Sequence, residues 1–166
     1  MQLLADQAAL ARIASGEIEA LTEAATAVTF YGAPLSDAQI AANKRVVAIS
    51  TRTCESASTS ADNTFIAAFL DDRFAGYVIG TRHAPDSHEL DWLMVHPDFH
   101  GTPVSRTLME AGLDWLGRDN PIWLTVIAHN QRAIRFYQKF GFAIDPEART
   151  THLVPHHIMR RPAPAR

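Results

Sequence analysis

Residues 89–116, which read ELDWLMVHPDFHGTPVSRTLMEAGLDWL, carry the pattern that decides the fold. The first seven residues are mostly apolar and end shortly before Pro97, as expected for a largely buried strand. Further on, Thr102 can cap a helix whose first residue is Pro103, and Gly117 can end it. The stretch therefore predicts a strand, a turn and a helix. The backbone N–H groups at such a helix start suit a phosphate.

This helix is predicted to bury one face. Its apolar residues recur at spacings of four, three and four, which places them on a single stripe. They are Val104, Leu108, Ala111 and Trp115.

Length and composition indicate one globular domain. The chain has 166 residues, of which 47% are hydrophobic and 20% charged, enough for a substantial core. A net charge of -3 without a Lys/Arg-rich run argues against a nucleic-acid surface. The N-terminus lacks the features of a secretion signal, and no segment approaches membrane-spanning length. Cys54 is the only cysteine, so we expect a buried, inert thiol and a cytoplasmic protein.

The chain divides into a helical N-terminal part and a mixed core. We expect residues 1–160 to form a single domain, with residues 1–56 as a helical cap and residues 64–160 as the core. The polar residues 55–63 predict a connecting loop, and residues 161–166 a disordered tail.

The core alternates strands and helices. Asn130 is expected to cap a second helix, which Gly141 ends. Apolar, β-prone runs predict strands over residues 64–70, 74–81, 89–95, 122–128, 142–145 and 151–160. This order implies parallel pairing in the middle of the sheet and antiparallel hairpins at its flanks. The predicted fold class is therefore α/β with a mixed sheet, whose ligands enter beside the turns at His100 and His129.

Three segments of this core carry a family resemblance. They are TFIAAFLDDRFAGYVIG, then ELDWLMVHPDFHGTPVSRTLM, then WLTVIAHNQRAIRFYQKFGF. Together they resemble the GNAT superfamily of acyl-CoA-dependent N-acetyltransferases over about half of the chain. The third segment is the most specific, with Val126, Asn130, Ala133, Phe136, Tyr137, Gly141 and Phe142 in the family's order. The second matches at Leu93, Val95, Pro97 and Gly101.

The resemblance implies acetyl-CoA as co-substrate in a gap between two splayed parallel strands, residues 89–95 and 122–128. The pantetheine arm would bond the backbone of Met94 and Val95, and Asn130 would contact the same arm. The pyrophosphate would bind at the helix start. The groups expected there belong to His100, Gly101, Thr102, Val104 and Ser105.

The resemblance also implies direct attack on the thioester by a primary amine of a small molecule or peptide. Tyr137 would protonate the departing CoA thiolate. Glu89 lies where many relatives place the general base, which is needed because an ammonium has no lone pair. Asp91 shares its strand face and competes for that role. Structural alternatives stay open: a core aromatic at Tyr137, a solvated carboxylate at Glu89 and a simple helix cap at Asn130.

The sequence departs from the family pattern at the phosphate loop. The family usually reads Arg/Gln-x-x-Gly-x-Gly/Ala, whereas residues 100–105 here are HGTPVS. Pro103 has no N–H, and Ser105 adds a side chain where the backbone is usually bare. His100 replaces a permanent cation with a group that is mostly neutral at pH 7. We expect a formed but weakened pyrophosphate site. The rival function is a non-catalytic GNAT-fold protein that binds an acyl-CoA weakly or not at all and serves as a regulatory or interaction module.

No metal site is predicted. His152 and His156 cannot share a metal on one straight strand, because four residues at about 3.3 Å each separate them by roughly 13 Å. Most of the other histidines are expected at the surface near turns, namely His83, His88, His96, His100 and His129. The expected partner is an amine, with no nucleic acid or membrane, and a homodimer is the common default. The amine pocket would include Phe30, Tyr31 and residues 152–157.

Overall fold

The computed structural model describes residues 1–30 and 34–165, without the side chain of Phe30. The predicted contribution of Phe30 and Tyr31 to a pocket lies outside these described residues. The elements, in chain order, are β1 (Gln2–Ala5), α1 (Asp6–Leu10), α2 (Glu17–Phe30), α3 (Asp37–Ala57), β2 (Asn63–Leu70), β3 (Arg73–Ala84), β4 (Ser87–Val95), a 3-10 turn (Pro97–Phe99), α4 (Val104–Leu116), β5 (Ile122–Ile127), α5 (Gln131–Gln138), β6 (Ala143–Ile144) and β7 (His156–Arg161). No helix of the described part of the chain is long and apolar enough to cross a membrane.

The strands within the described residues form one seven-stranded sheet in the order β1-β2-β3-β4-β5-β7-β6. β4 and β5 are parallel, and the other neighbouring strands are antiparallel. The prediction of a mixed α/β sheet with parallel pairing in its middle is therefore confirmed.

The parallel pair separates soon after it begins. β4 and β5 pair only at His88↔Ile122 and Glu89↔Trp123, although both strands continue beyond these pairs. The unpaired lengths leave a gap between neighbouring strands.

A β-bulge lies where β4 leaves its parallel partner. Between the pairs Val78↔Leu93 and Gly80↔Leu90, β3 has one residue and β4 has two, Asp91 and Trp92. Such a bulge bends the strand that carries the extra residue and turns its side chain. The bulge gives a local reason for the separation from β5.

Helices cover both faces of the sheet. α4 packs on one face, where Leu90, Leu108 and Leu124 belong to a single buried cluster. α2 and α3 cover the other face, where Cys54 is fully buried in a second cluster with Tyr77. The prediction of a buried cysteine is confirmed, and burial raises the pKa of the Cys54 thiol to about 12, which disfavours the reactive thiolate.

The prediction of helix for the first residues is wrong. Gln2–Ala5 form β1, which pairs with β2 at the edge of the sheet. Asp6 then turns the chain with a φ of 51°, and its Oδ1 accepts a 2.9 Å hydrogen bond from the Phe65 N–H. Pairing with β2 and this bond supply a partner that local propensity does not show. At the other end of the cap, α3 continues to Ala57, so the loop is shorter than predicted.

The start and the buried face of α4 are each displaced by about one residue from the prediction. Pro103 is the N-cap rather than the first helical residue, and its carbonyl accepts from the Thr107 N–H at 2.9 Å. Ala111 and Trp115 are only half-buried. The residues that α4 buries are Val104, Leu108, Met109, Gly112, Leu113 and Leu116.

The last predicted strands are shorter than expected. β6 has two residues, and β7 begins at His156, so residues 151–155 form no strand. The hairpin before β4 is tighter, because β3 and β4 pair up to Ala84↔Ser87. Pro155 ends the irregular segment, which fits the absence of an N–H that a ladder would need.

Candidate active site

The gap between β4 and β5 holds a cavity of about 480 Å³. Glu89 and Asp91 of β4 line it on one side, and Trp123 of β5 lines it on the other. Tyr137 of α5 contributes to the wall as well. The two predicted catalytic residues, Glu89 and Tyr137, therefore face the same space.

Glu89 is buried and has one close partner. Its Oε2 lies 2.6 Å from Nε2 of His83, which is on the neighbouring strand β3. The His83 ring stacks on Trp123, with 5.6 Å between ring centroids and 21° between planes. Burial raises the pKa of Glu89, and the hydrogen bond and charge of His83 oppose that rise. His83 therefore favours the ionised form of a carboxyl group that burial would keep neutral.

Asp91, the second carboxyl group of the first cavity, has a strongly raised pKa. Burial, and after it the charge of Glu89, raise the pKa of Asp91 to about 7, while His83 acts in the opposite direction. Two nearby carboxylates resist being ionised together, and a carboxyl group tuned to neutral pH suits proton transfer. Asp91, which the sequence left as a competitor of Glu89, is thus chemically suited to act as a base.

Tyr137 stands where two cavities meet. It lines the cavity of the carboxyl groups and also a second cavity of about 260 Å³. Burial raises the pKa of its hydroxyl to about 12, so the group stays protonated at neutral pH. A protonated phenol at this place is able to donate to a leaving group.

The second cavity follows β4 toward its carboxyl end. Met94 and Val95, which were expected to meet the pantetheine arm, both line it. So do His100 and Ser105 of the expected phosphate loop. The predicted cofactor residues are therefore brought together along one wall, from the strand to the start of α4.

Asn130 is a helix cap that also lines both cavities. Its Oδ1 accepts a 3.1 Å hydrogen bond from the Ala133 N–H, which makes it the N-cap of α5. The same residue lines both cavities. The cap fixes where the side chain stands, and contact with a cofactor stays a prediction.

The backbone donors at the phosphate loop are fewer than expected. The Thr102 N–H already bonds the Phe99 carbonyl at 3.2 Å, so it is not a free donor. The Val104 N–H is 3.4 Å from Thr102 Oγ1. Because the first intrahelical bond of α4 comes from Thr107, the N–H groups of Ser105 and Arg106 precede the ladder.

The sequence did not indicate the roles of Trp92 and Arg132, which line these cavities, or of His83, which bonds the lining residue Glu89. Trp92 and Asp91 both line the first cavity, although strict alternation would turn one of them away, because these two residues form the bulge. His83 became visible as a partner of Glu89 only with the register of β3 against β4. Arg132, two residues after Asn130, lines the second cavity with its Nη1 at 2.7 Å from Nδ1 of His100.

His152 and His156 lie close together, so the prediction of a separation of roughly 13 Å is wrong. Their rings stack with 4.0 Å between centroids, because the chain before β7 is irregular rather than extended. Both rings line the first cavity. Within the described residues no three His, Cys, Asp or Glu side chains form a group that could hold a metal ion. His88, expected at the surface, is buried, and its Nδ1 has no partner among the described residues.

Comparison with known families agrees with this arrangement. The sequence model of the Acetyltransferase (GNAT) family matches residues 34–142. The chain belongs to the GNAT family. The matched range runs from the segment before α3 to the residue before β6, so it includes β4, β5 and α5. The family resemblance expected from the three sequence segments is confirmed.

Curated relatives cover part of the chain. An uncharacterised N-acetyltransferase of Mycobacterium bovis is 37% identical over 103 residues, which make up 60% of this chain and 64% of that protein. An uncharacterised N-acetyltransferase of Mycobacterium tuberculosis matches with the same figures. The chain thus spans slightly under two thirds of the length of these relatives.

Solved structures match over nearly the whole chain. The PaiA N-acetyltransferase from Thermoplasma acidophilum, in complex with coenzyme A, has a TM-score of 0.71 at 18% identity, covering 98% of this chain and 99% of that one. A protein from Pyrococcus horikoshii has a TM-score of 0.68 at 17% identity, covering 99% and 100%. At these identities the likeness establishes the fold.

Proposed function

We propose that this GNAT-family chain is an acetyl-CoA-dependent N-acetyltransferase that acetylates a primary amine of a small molecule or peptide. The observation that carries the proposal is the position of Tyr137. It lines both the cavity that contains two carboxyl groups and the cavity that leads to the phosphate loop. An amine in the first cavity and a thioester arm in the second would meet beside a proton donor. Bringing two reactants together in this way supplies much of the rate of a direct transfer.

The reaction removes two protons from the amine nitrogen in the first cavity and delivers one proton to the thiolate beside Tyr137. A carboxylate removes a proton from the ammonium, and the amine then attacks the thioester carbon. As the C–N bond forms and the C–S bond breaks, the nitrogen loses its second proton to water and the Tyr137 hydroxyl gives its proton to the CoA thiolate. The tyrosine recovers a proton from solvent, and the carboxyl group releases one, so the cycle closes.

We assign the base to Asp91, with Glu89 beside it. The pKa of Asp91, raised to about 7, allows it to accept a proton and to release it again near neutral pH. Asp91 is also two residues closer than Glu89 to the segment of β4 that lines the second cavity, called the cofactor cavity from here on. This segment consists of Leu93, Met94 and Val95. Glu89 is held by His83 and contributes negative charge next to the ammonium.

The charges that line the first cavity, called the acceptor cavity from here on, restrict the class of amine that it can bind. Its described lining residues include Glu89 and Asp91, and none of them is Lys or Arg. A substrate that carries a carboxylate next to its reacting amine would therefore find no permanent positive charge in this cavity. The ammonium group of a substrate would find two acidic residues and the aromatic rings of Trp92 and Trp123. We propose an amine without a neighbouring carboxylate. The cytoplasmic location and the homodimer stay predictions.

Two measurements test the proposal in sequence. Calorimetric titration with acetyl-CoA comes first, and absence of binding at millimolar ligand would contradict it and favour a non-catalytic role. A screen that follows CoA thiol release over a panel of amines comes second. Turnover is expected with amines that lack a carboxylate, and it should fall strongly in Tyr137→Phe. Turnover that is equal in this variant would remove Tyr137 from the mechanism.

A further inference from the structure

A cation from α5 stands at the phosphate end of the second cavity. Arg132 is the second residue of α5, and its Nη1 lies 2.7 Å from Nδ1 of His100. Both residues line this cavity together with Ser105 of α4. Among the described residues that line it, Arg132 is the one Arg or Lys.

The contact fixes the protonation state of His100. A guanidinium has only N–H donors, so Nδ1 of His100 accepts the bond and carries no proton of its own. Burial, and after it the Arg132 charge, lower the pKa of His100, while a hydrogen bond with the backbone of Val95 opposes them. His100 is therefore a neutral ring between the end of β4 and Arg132. It is not the positive charge of the loop.

We propose that Arg132 supplies the permanent positive charge for the pyrophosphate of acetyl-CoA, and that His100 is the residue that positions it. This inference rests on the proposed use of acetyl-CoA. It gives the chain a replacement for the cation that residues 100–105 lack. The charge comes from the neighbouring helix instead of from the loop.

The opposite side of the loop offers backbone donors to the same phosphates. Gly101 has a φ of 81°, which opens the turn before α4, and the N–H groups of Ser105 and Arg106 precede the helical ladder. The Arg132 guanidinium is planar and keeps free N–H groups after one of them bonds His100, so it can bind phosphate oxygens as a fork. A pyrophosphate would thus be held between backbone N–H groups and one fixed cation.

The test measures acetyl-CoA binding by calorimetry and needs no knowledge of the amine. Arg132→Gln is expected to weaken acetyl-CoA about tenfold, the usual scale of one charge-assisted hydrogen-bonding group. Arg132→Lys should recover part of the loss, because charge returns without the fork. Arg135→Gln is the matched control: Arg135 is exposed on the same helix and lines neither cavity, so the same change of net charge should leave affinity within about twofold.

Two further binding experiments test which phosphate Arg132 contacts and whether His100 positions it. Acetyl-3′-dephospho-CoA keeps the pyrophosphate, so it should show the same loss in Arg132→Gln as acetyl-CoA does. His100→Phe should weaken acetyl-CoA about threefold in the wild-type background and produce no further loss in Arg132→Gln, because its effect runs through Arg132. Thermal unfolding by circular dichroism should be alike for all variants.

The outcomes separate this inference from the proposed function. If the wild-type chain does not bind acetyl-CoA, the proposed function fails. If it binds and Arg132→Gln binds equally well, or Arg135→Gln loses as much, only the role of Arg132 is overturned. A loss that disappears with acetyl-3′-dephospho-CoA would assign Arg132 to the 3′-phosphate and overturn the pyrophosphate assignment. Additive losses for His100 and Arg132 would overturn the positioning role of His100.

Discussion

The two cavities that meet at Tyr137 are built in opposite ways. The acceptor side, which is the first cavity, has its carboxyl groups on strand β4, with Glu89 buried and Asp91 half-buried, and desolvation raises the pKa of both. The cofactor side carries its donors on an exposed loop and two helix starts, where Arg132 is exposed to solvent. Desolvation sets the proton affinities on one side, and on the other side we propose that charge and backbone N–H groups bind acetyl-CoA. We therefore expect changes on the acceptor side to alter kcat and its pH dependence, and changes on the cofactor side to alter acetyl-CoA affinity.

The largest effect is expected at the residue that belongs to both sides. Tyr137→Phe removes the proton donor and keeps the ring packed against Phe136 and Phe142. We expect kcat to fall about 100-fold, the lower range for a positioned acid, with acetyl-CoA affinity within about twofold. Steady-state assay of thiol release and calorimetry measure the two quantities. A large loss of affinity with unchanged kcat would mean that Tyr137 belongs to the cofactor side alone.

The next comparison is between the two carboxyl groups. Asp91→Asn should lower kcat about 30-fold and Glu89→Gln less, because the proton is assigned to Asp91. In the wild-type chain the rate should fall as pH drops below about 7, where Asp91 becomes protonated. That inflection should vanish in Asp91→Asn and persist in Glu89→Gln. A profile that loses the inflection only in Glu89→Gln would transfer the role of base to Glu89.

The burial of Asp91 also predicts a cost in stability. Its pKa is about 7 in the folded chain, against an ordinary value of 3.8 for a solvated aspartate. Between these pH values the carboxyl group is therefore ionised in the unfolded chain and protonated in the folded chain. The free energy of unfolding should therefore decrease from about pH 4 to about pH 7 and stay low above it. Asp91→Asn should be more stable than the wild type at pH 8, by up to about 4 kcal/mol since each unit of pKa shift is worth about 1.4 kcal/mol, and nearly equal at pH 4. Urea unfolding at the two pH values tests this. Greater stability of the wild type at pH 8 would contradict the raised pKa.

The smallest expected effect lies at the start of α4. Pro103→Gly adds an N–H before the helix, and we expect acetyl-CoA to bind about threefold more tightly, with kcat unchanged. The gain is limited because the proline ring holds φ near the -66° that residue 103 adopts at the cap. Glycine lacks this restriction, so ordering the loop costs more conformational entropy. Calorimetry with acetyl-CoA provides the measurement. An equal or weaker affinity would show that this position does not face the phosphates.

The local sequence pattern correctly predicted those helix ends and hairpins whose hydrogen bonds join residues close together in the sequence. The Asn130 cap of α5 and the end of α4 at Gly117 depend on residues three or four positions apart. The β2–β3 hairpin likewise has a short turn. The edge strand β1 was missed because its stability comes from pairing with β2, more than sixty residues away.

The sequence alone determined the family, the mixed sheet and the identities of Glu89, Asp91, Tyr137 and Asn130 as candidates, because alternation, caps and a family-specific spacing are local properties. Only the tertiary structure decided their partners. His83 reaches Glu89 through the register of two strands, Trp92 enters the acceptor cavity through a bulge, and Arg132 reaches His100 across two separate helix starts. These contacts join residues whose distance in space depends on how the sheet bends, and no spacing along the chain encodes that bend.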